Sequence, residues 1–348
     1  MNDDEPLLCH VNYANGFRGG ERQTFLLIKS LANKGFHQKL IVRKGSELGR
    51  HCQSIDGVEV IQSVLFGFDA LFKIPSKALF HFHDSRTFPS LYLHNLIRDI
   101  NYIYTRRVQR PPNSNFMTKM IYGKAKNIVC LSDSITFSVK KSLNDNFDFK
   151  IIPSASANFE SSIENSEIIR KKLRQQFIVG HIGVLDDSHK GQFEILKLAK
   201  EVKEHSLDIG FMIVGSGKDE EELINKSKGL DNIYLAGQVE NIGDYLNAFD
   251  VFIFPSRHEG LGSTLLDALD FGIPIIASDV GGISEIIEHK VNGFLIDPNK
   301  PEFLKALLEL FNDVDKRKQI TEENKSKARE FSIERMTNSY INLYNQYL

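Results

Sequence analysis

Phe254-Pro255-Ser256-Arg257-His258-Glu259-Gly260-Leu261-Gly262-Ser263-Thr264-Leu265-Leu266-Asp267 is the stretch on which the reading of this chain turns. The apolar run Val251 to Phe254 predicts a short buried strand, and Pro255 and Ser256 break it. A Gly-x-Gly loop follows, then a helix with Leu265, Leu266 and Leu269 apolar. Strand, glycine loop and helix together aim backbone N–H groups and the positive helix end at an anion. Two acids flank the loop, Glu259 before it and Asp267 within the helix. Ionised carboxylates accept hydrogen bonds and do not donate them, so they suit hydroxyl groups and not phosphate oxygens. A phosphate cradle between two hydroxyl-binding acids describes a site for a sugar nucleotide.

Around this stretch the chain alternates. Strands are expected at Leu7–Ala14, Gln38–Val42, Val58–Ile61, Ala78–Phe82, Ile128–Leu131 and Lys150–Ile152, with helices or loops between them. A second series starts with Phe177–Leu185, followed by Asp208–Val214, Ile233–Ala236, Ile275–Ala277 and Phe294–Ile296. Such alternation predicts doubly wound, mostly parallel sheets, with ligands beyond the carboxyl ends of the strands. A linker near Ser154 and a connecting helix within Ser161–Arg174 divide the chain. One domain then takes residues 1–155 with the helical tail 333–348, and the other takes 156–332. In the tail, Met336, Tyr340, Leu343, Tyr344 and Tyr347 are apolar or aromatic. The length of 348 residues accommodates two domains.

Bulk chemistry narrows the function classes. A net charge of -2 gives no nucleic-acid signature. Cys9, Cys52 and Cys130 are scattered and odd in number, which fits a reducing compartment better than a disulfide framework or a zinc site. Met1 to Pro6 is acidic and does not read as a signal peptide. No apolar run approaches the roughly 20 residues of a spanning helix, so a membrane role would be peripheral.

Three further motifs carry chemistry. Asn15-Gly16-Phe17-Arg18-Gly19-Gly20 is a glycine turn into the amphipathic helix Glu21–Asn33. His81-Phe82-His83-Asp84 ends a strand, with both rings on one face. That pair fits a metal site, a ligand contact or a satisfied core. The segment Ile100 to Ser132 has no acid and interleaves Arg106, Arg107, Arg110, Lys119, Lys124 and Lys126 with aromatic residues. An anionic membrane or acceptor would suit it, and so would a solvated face.

The Glu259-to-Asp267 spacing resembles the Glu-x7-Glu motif of retaining GT-B glycosyltransferases of family 4. Phe271 to Ile287 is similar to the same family, as are Lys190-Gly191 and Gly215-Ser216-Gly217. Two positions depart from it: Asp267 stands for the second Glu, and Val184 for an Arg beside the donor diphosphate. The resemblance implies an α/β fold of two Rossmann-like domains facing a central cleft, with the last helix crossing back to the first. Glu259, His83 and Lys190 would be catalytic: Glu259 on sugar hydroxyls, His83 near the donor sugar, Lys190 on the diphosphate. The N–H groups of Gly260, Leu261, Gly262, Ser263 and Thr264 would assist Lys190, and Asp267 would hold the ribose. Gly215 would form a turn near the donor, Val239 and Leu261 would lie by the base, and Gly19 and Gly20 would approach the diphosphate and acceptor.

Arg257, Arg18 and Arg86 are candidates to replace the missing cation. Arg18, Arg86, Arg106, Arg107, Arg110 and Lys119 would face the acceptor or a membrane. No Asp-x-Asp motif is evident at the donor loop, so neither a metal nor a cofactor is expected, only a UDP- or GDP-linked sugar as substrate. The implied reaction is retaining transfer to a glycan or glycolipid acceptor, in bacterial surface polysaccharide or lipopolysaccharide synthesis. It would take place in the cytoplasm or peripherally on the inner face of the cell membrane. The alternatives are a sugar-nucleotide-binding protein without transfer activity and a metal-dependent hydrolase built on His81, His83 and Asp84.

Overall fold

A computed structural model describes residues 7–144 and 147–348. The acidic stretch Met1 to Pro6 lies outside the described residues. The chain forms two compact units, Met1–Ala157 with Phe331–Leu348, and Asn158–Glu330.

Among the described residues the first unit holds seven strands: β1 (Leu8–Asn12), β2 (Gln38–Arg43), β3 (Val58–Ser63), β4 (Leu79–Phe82), β5 (Asn101–Arg106), β6 (Asn127–Cys130) and β7 (Phe149–Ile151). They pair in parallel in the order β3-β2-β1-β4-β5-β6-β7. The order reverses between β1 and β4, so the loops after these two strands diverge and leave a crevice, the usual ligand position in open parallel sheets. Strand β1, Leu-Cys-His-Val-Asn, is buried throughout, because helices cover both faces of a parallel sheet.

Strand β5 was not expected from sequence. Its residues Tyr102 to Arg106 are all buried, so the period-2 alternation that marks a half-exposed strand is missing. Tyr102, Tyr104 and Tyr122, expected on a basic aromatic face, are core residues instead.

The tail helix Ile333–Tyr344 packs into this first unit. Ser332 caps it by accepting the Arg335 N–H at 3.2 Å. Met336, Tyr340, Leu343 and Tyr344 lie at helical spacing and join Leu8, Leu27, Leu79 and Ile103 in one core. The Tyr344 hydroxyl also meets His81 Nδ1 at 2.6 Å, and the Tyr340 hydroxyl meets Thr105 Oγ1 at 3.1 Å. Tyr344→Phe should therefore leave a buried ring nitrogen unsatisfied and destabilise the unit by about 1–3 kcal/mol. Tyr347→Phe removes an exposed bond to the Lys126 carbonyl and should change much less. Urea unfolding of the two variants checks the contrast.

The second unit holds β8 (Phe177–Ile182), β9 (Ile209–Val214), β10 (Ile233–Gly237), β11 (Val251–Phe254), β12 (Ile275–Ser278) and β13 (Gly293–Ile296). These are parallel in the order β10-β9-β8-β11-β12-β13, with the reversal between β8 and β11. The connecting helix spans Ile163–Arg170. It is tied down by Asp244, whose carboxylate accepts the Ser162 N–H at 2.7 Å and the Asn165 side chain at 3.0 Å. A glycine pair, Gly281-Gly282, follows Asp279. It opens only the single 3-10 turn Ile283–Glu285 before the chain turns toward β13.

Candidate functional site

In the second unit the loops after β8 and β11 flank the strand reversal, and four contacts stitch them together. The Arg257 N–H donates to the His189 carbonyl at 2.9 Å. The Arg257 guanidinium donates to the Asp187 carbonyl and carboxylate, both at 3.1 Å. Gly191, at φ +69°, sits so close to the Pro255 carbonyl that an added Cβ would lie 2.1 Å from its oxygen. The fourth contact is the pair of charges itself: Lys190 Nζ lies 2.5 Å from Glu259 Oε2. Both side chains are largely shielded, with 18% and 14% of their surfaces exposed. The ammonium also lies 4.9 Å from the centre of the Phe254 ring, a favourable cation–π distance.

Glu259 is held from its other oxygen as well, since Oε1 accepts the N–H of Gly260 at 3.2 Å. This amide is therefore turned onto the carboxylate, a correction to its expected role with Leu261 to Thr264 on the diphosphate. Gly262, at φ +88°, precedes the helix Ser263–Asp270, whose first amides have no carbonyl one turn earlier in the helix. Ser263 and Thr264 are partly exposed there. Leu261 is 3% exposed, so its side chain belongs to the core and is no platform for a base. Asp267 is buried on the same helix.

The loops after β9 and β10 adjoin these. Gly215 N–H donates to the Gly237 carbonyl at 2.8 Å. The side chains of Ser216 and Gln238 meet at 3.1 Å, and Val239 follows, half-buried. Val184, in place of the family arginine, offers its carbonyl to Gln192 at 2.7 Å. Of the three substitute cations considered, Arg257 is in this unit, and it is engaged with Asp187. Arg18 and Arg86 are exposed on the first unit.

In the first unit Gly19 and Gly20 open the helix Gly19–Asn33 just after β1, and His83 follows the end of β4, on either side of the strand reversal. Three histidines gather here. His10, buried in β1, stands opposite His81 in register. Its Nδ1 lies 2.9 Å from His83 Nε2, and its Nε2 lies 3.0 Å from Gln38 Oε1. His81 meets Tyr344 and, at 2.7 Å, Thr105. Ring nitrogens of His10, His81 and His83 fall within 4.8 Å of one another, a spacing that would suit a metal. Each of those nitrogens already has a protein partner, however, and the Arg107 guanidinium stands 3.4 Å from His83 Nδ1. Asp84, the third member of the hydrolase alternative, is elsewhere engaged. Its carboxylate accepts the N–H groups of Tyr13 at 2.5 Å and Arg86 at 2.7 Å.

Burial holds the His10 ring down at about 4 and pushes His81 and His83 well below the usual imidazole range. In the unfolded chain these rings titrate near 6.5. Between those values the unfolded chain binds protons that the folded chain does not. Stability should thus fall as pH drops from about 6.5 toward 4, by up to ~1.4 kcal/mol per pH unit for each ring. Urea midpoints at pH 7.5 and pH 5 test this, and His10→Gln should flatten the dependence.

The basic surface needs correction. Arg106 was expected to face an acceptor or a membrane. It is 6% exposed at the end of β5, and its guanidinium donates to the Tyr122 hydroxyl at 3.1 Å and to the Arg110 carbonyl. Arg110 and Lys119 are exposed, and Arg107 is half-buried. His10 and Gln38 were missed altogether. The only hint in the sequence was a lone polar ring inside an apolar strand.

Residues 163–327 match the family described as glycosyl transferases group 1. An uncharacterised glycosyltransferase of Haemophilus influenzae is 28% identical over 185 residues, covering 52% of this chain and 51% of that protein. An Escherichia coli UDP-Gal:alpha-D-GlcNAc-diphosphoundecaprenol alpha-1,3-galactosyltransferase is 28% identical over 203 residues, covering 53% and 51%. The matches span about half the length of the curated relatives. Among solved structures, Anabaena HepE in complex with UDP-glucose superposes with a TM-score of 0.84 at 16% identity, over 98% of this chain and 100% of that one. That likeness speaks for the fold. The match to the glycosyl transferases group 1 family thus lies within the second unit, and the two Rossmann-like sheets together have the GT-B fold.

Proposed function

We propose that the protein is a retaining glycosyltransferase that moves a sugar from a nucleoside-diphosphate sugar to a glycan or glycolipid acceptor. The observation that carries this reading is the Lys190–Glu259 pair between the loops after β8 and β11, beside the amides at the start of the helix Ser263–Asp270. In the free protein the two charges neutralise one another. A donor supplies each with a better partner: its diphosphate meets the ammonium and helix amides, and its sugar hydroxyls meet the carboxylate. Charge grows on the diphosphate as the bond from the anomeric carbon to the phosphate oxygen breaks, and groups fixed beforehand stabilise it most effectively. Asp267 takes the ribose hydroxyls in this reading, and Val239 lies by the base. The relatives named for UDP-Gal transfer and for a UDP-glucose complex favour a uridine donor. A thermal-shift screen across UDP-, GDP-, ADP- and CMP-sugars tests the assignment, with a UDP-sugar expected to give the largest shift. No shift with any of them, together with no release of nucleoside diphosphate, would remove it.

An apolar surface on the first unit supports a peripheral station on a membrane. The helix Phe88–Ile97 turns Leu93, Leu96 and Ile97 to solvent, at 48%, 63% and 65% exposure. Leu65 and Phe72 are exposed beside it: Ser90 donates to the Leu65 carbonyl, and the Phe72 ring packs on His94. Lys73, Lys77, Arg86 and Lys119 are exposed basic residues of the same unit. No described helix is long and apolar enough to cross a membrane. Leu96→Glu with Ile97→Glu should reduce pelleting with anionic vesicles at least fivefold. Unchanged pelleting, or none by the unaltered protein, would remove this surface from the account.

A further inference from the structure

The hydrogen bonds around His83 admit a single ordering of protons. Gln38 Nε2 donates to the Ile28 carbonyl at 3.0 Å, so its Oε1 is the acceptor facing His10. His10 Nε2 must therefore carry a proton. At the other end of the chain, Arg107 has only donors to offer His83 Nδ1 at 3.4 Å, so that nitrogen must be a bare lone pair. His83 then carries its proton on Nε2 and donates it to His10 Nδ1 at 2.9 Å. Reasoning from the glutamine and from the arginine gives the same tautomers, with both rings neutral. A second proton on either ring would set two donors face to face.

This ordering changes what His83 can do. The ring is 3% exposed, and both nitrogens are committed inside the protein. Arg107 is the group at that end of the relay with donors left over. Its Nε is shut off from solvent without an acceptor. Among the described residues, no carboxylate lies within ion-pairing distance of it; the nearby acid Glu21 is bonded back to the Arg18 amide at 2.9 Å. The arginine stem lies against Gly20, where an added Cβ would stand 3.5 Å from its Cδ. A half-buried guanidinium lacking a counter-ion favours an anion with several oxygens in its plane, and phosphate is the common one.

We infer that Gln38, His10 and His83 are positioning residues that fix Arg107 as a phosphate-recognising group of the first unit. The inference deepens the proposed function, on which it rests for the source of the phosphate: the donor's diphosphate or a phosphate of the acceptor.

The test uses the full chain and two probes, UDP and glycerol 3-phosphate, with affinities from calorimetry. Arg107→Ala should weaken binding at least tenfold for one probe or both. Loss with UDP assigns the group to the donor, and loss with glycerol 3-phosphate alone assigns it to the acceptor. Equal affinities of the variant and the unaltered protein for both probes would overturn the inference, as would failure of both probes to bind the unaltered protein.

The relay is read separately by nitrogen-15 NMR of the histidine rings, which needs no variant. His10 and His83 should each show a protonated Nε2 and a bare Nδ1, and a protonated His83 Nδ1 would overturn the relay. Gln38→Glu offers His10 a carboxylate and favours its imidazolium, whose Nδ1–H would drive the His83 proton onto Nδ1, against Arg107. It should lower phosphate affinity about tenfold with that spectroscopic change, while a merely structural glutamine would leave the His83 tautomer alone. If UDP binding fails but glycerol 3-phosphate still responds to Arg107→Ala, the donor reading falls and this inference survives.

Discussion

Lys190→Ala should lower kcat/KM for sugar transfer by about a thousandfold, roughly 4 kcal/mol of transition-state stabilisation. Its ammonium sits over the Phe254 ring and 2.5 Å from Glu259, on a loop pinned to its neighbour by Arg257 and Gly191. In the proposed function the charge is thus in place before a donor arrives, and little reorganisation would be needed as negative charge builds on a leaving diphosphate. Lys190→Arg should recover part of the loss, since charge is kept while the compact point geometry is not. Glu259 also loses its counter-ion in Lys190→Ala, so stability must be measured alongside activity. Breaking a shielded pair by removing one partner costs about 3–5 kcal/mol at most, and less where water reaches the survivor. Saturating nucleotide cannot restore kcat if the lysine acts in the chemical step. Activity within tenfold of the unaltered enzyme would leave Lys190 a structural residue.

Gly191→Ala should have the largest effect on stability. The residue lies at φ +69°, and its added methyl carbon would stand 2.1 Å from the Pro255 oxygen. Both the backbone region and the space exclude a side chain, and the obstacle is a carbonyl that cannot swing aside. A loss of about 3 kcal/mol or more is expected, lowering the melting temperature of the second unit by roughly 10 °C. Relief of the clash would separate the loops that bring Lys190 to Glu259, so nucleotide affinity should fall too. A control is Gly229→Ala, which shares a positive φ of +84° but would meet nothing within 4 Å. It should cost only the local backbone preference, on the order of 1 kcal/mol. Equal losses at the two sites would mean that close packing of the loops contributes nothing.

The second unit was legible in the sequence because its signals are local. An apolar run broken by Pro255, a glycine pair and a leucine-faced helix specify the loop around Glu259 within some 20 residues. Lys190-Gly191 before an amphipathic helix is local as well. The sequence does not say that the two loops touch; that follows from β8 and β11 becoming neighbours at the strand reversal. The first unit was less legible for the same reason. His81 and Tyr344 stand 263 positions apart and meet only when the tail helix returns. His10 faces His81 through cross-strand register, which no window along the chain contains. Arg106 was misplaced because β5 is buried on both faces and shows no alternation. Once the strand is seen, its terminal guanidinium is explained by the Tyr122 hydroxyl and the Arg110 carbonyl.

In the proposed function the ammonium and carboxylate between the loops after β8 and β11 receive the donor's diphosphate and sugar. Calorimetric titration with UDP and with UDP-glucose, on the unaltered protein, Lys190→Ala and Glu259→Gln, tests it most directly. Lys190→Ala should bind both ligands at least tenfold more weakly. Glu259→Gln should keep its affinity for UDP and lose affinity for UDP-glucose. Three proteins with indistinguishable affinities for both ligands would contradict it.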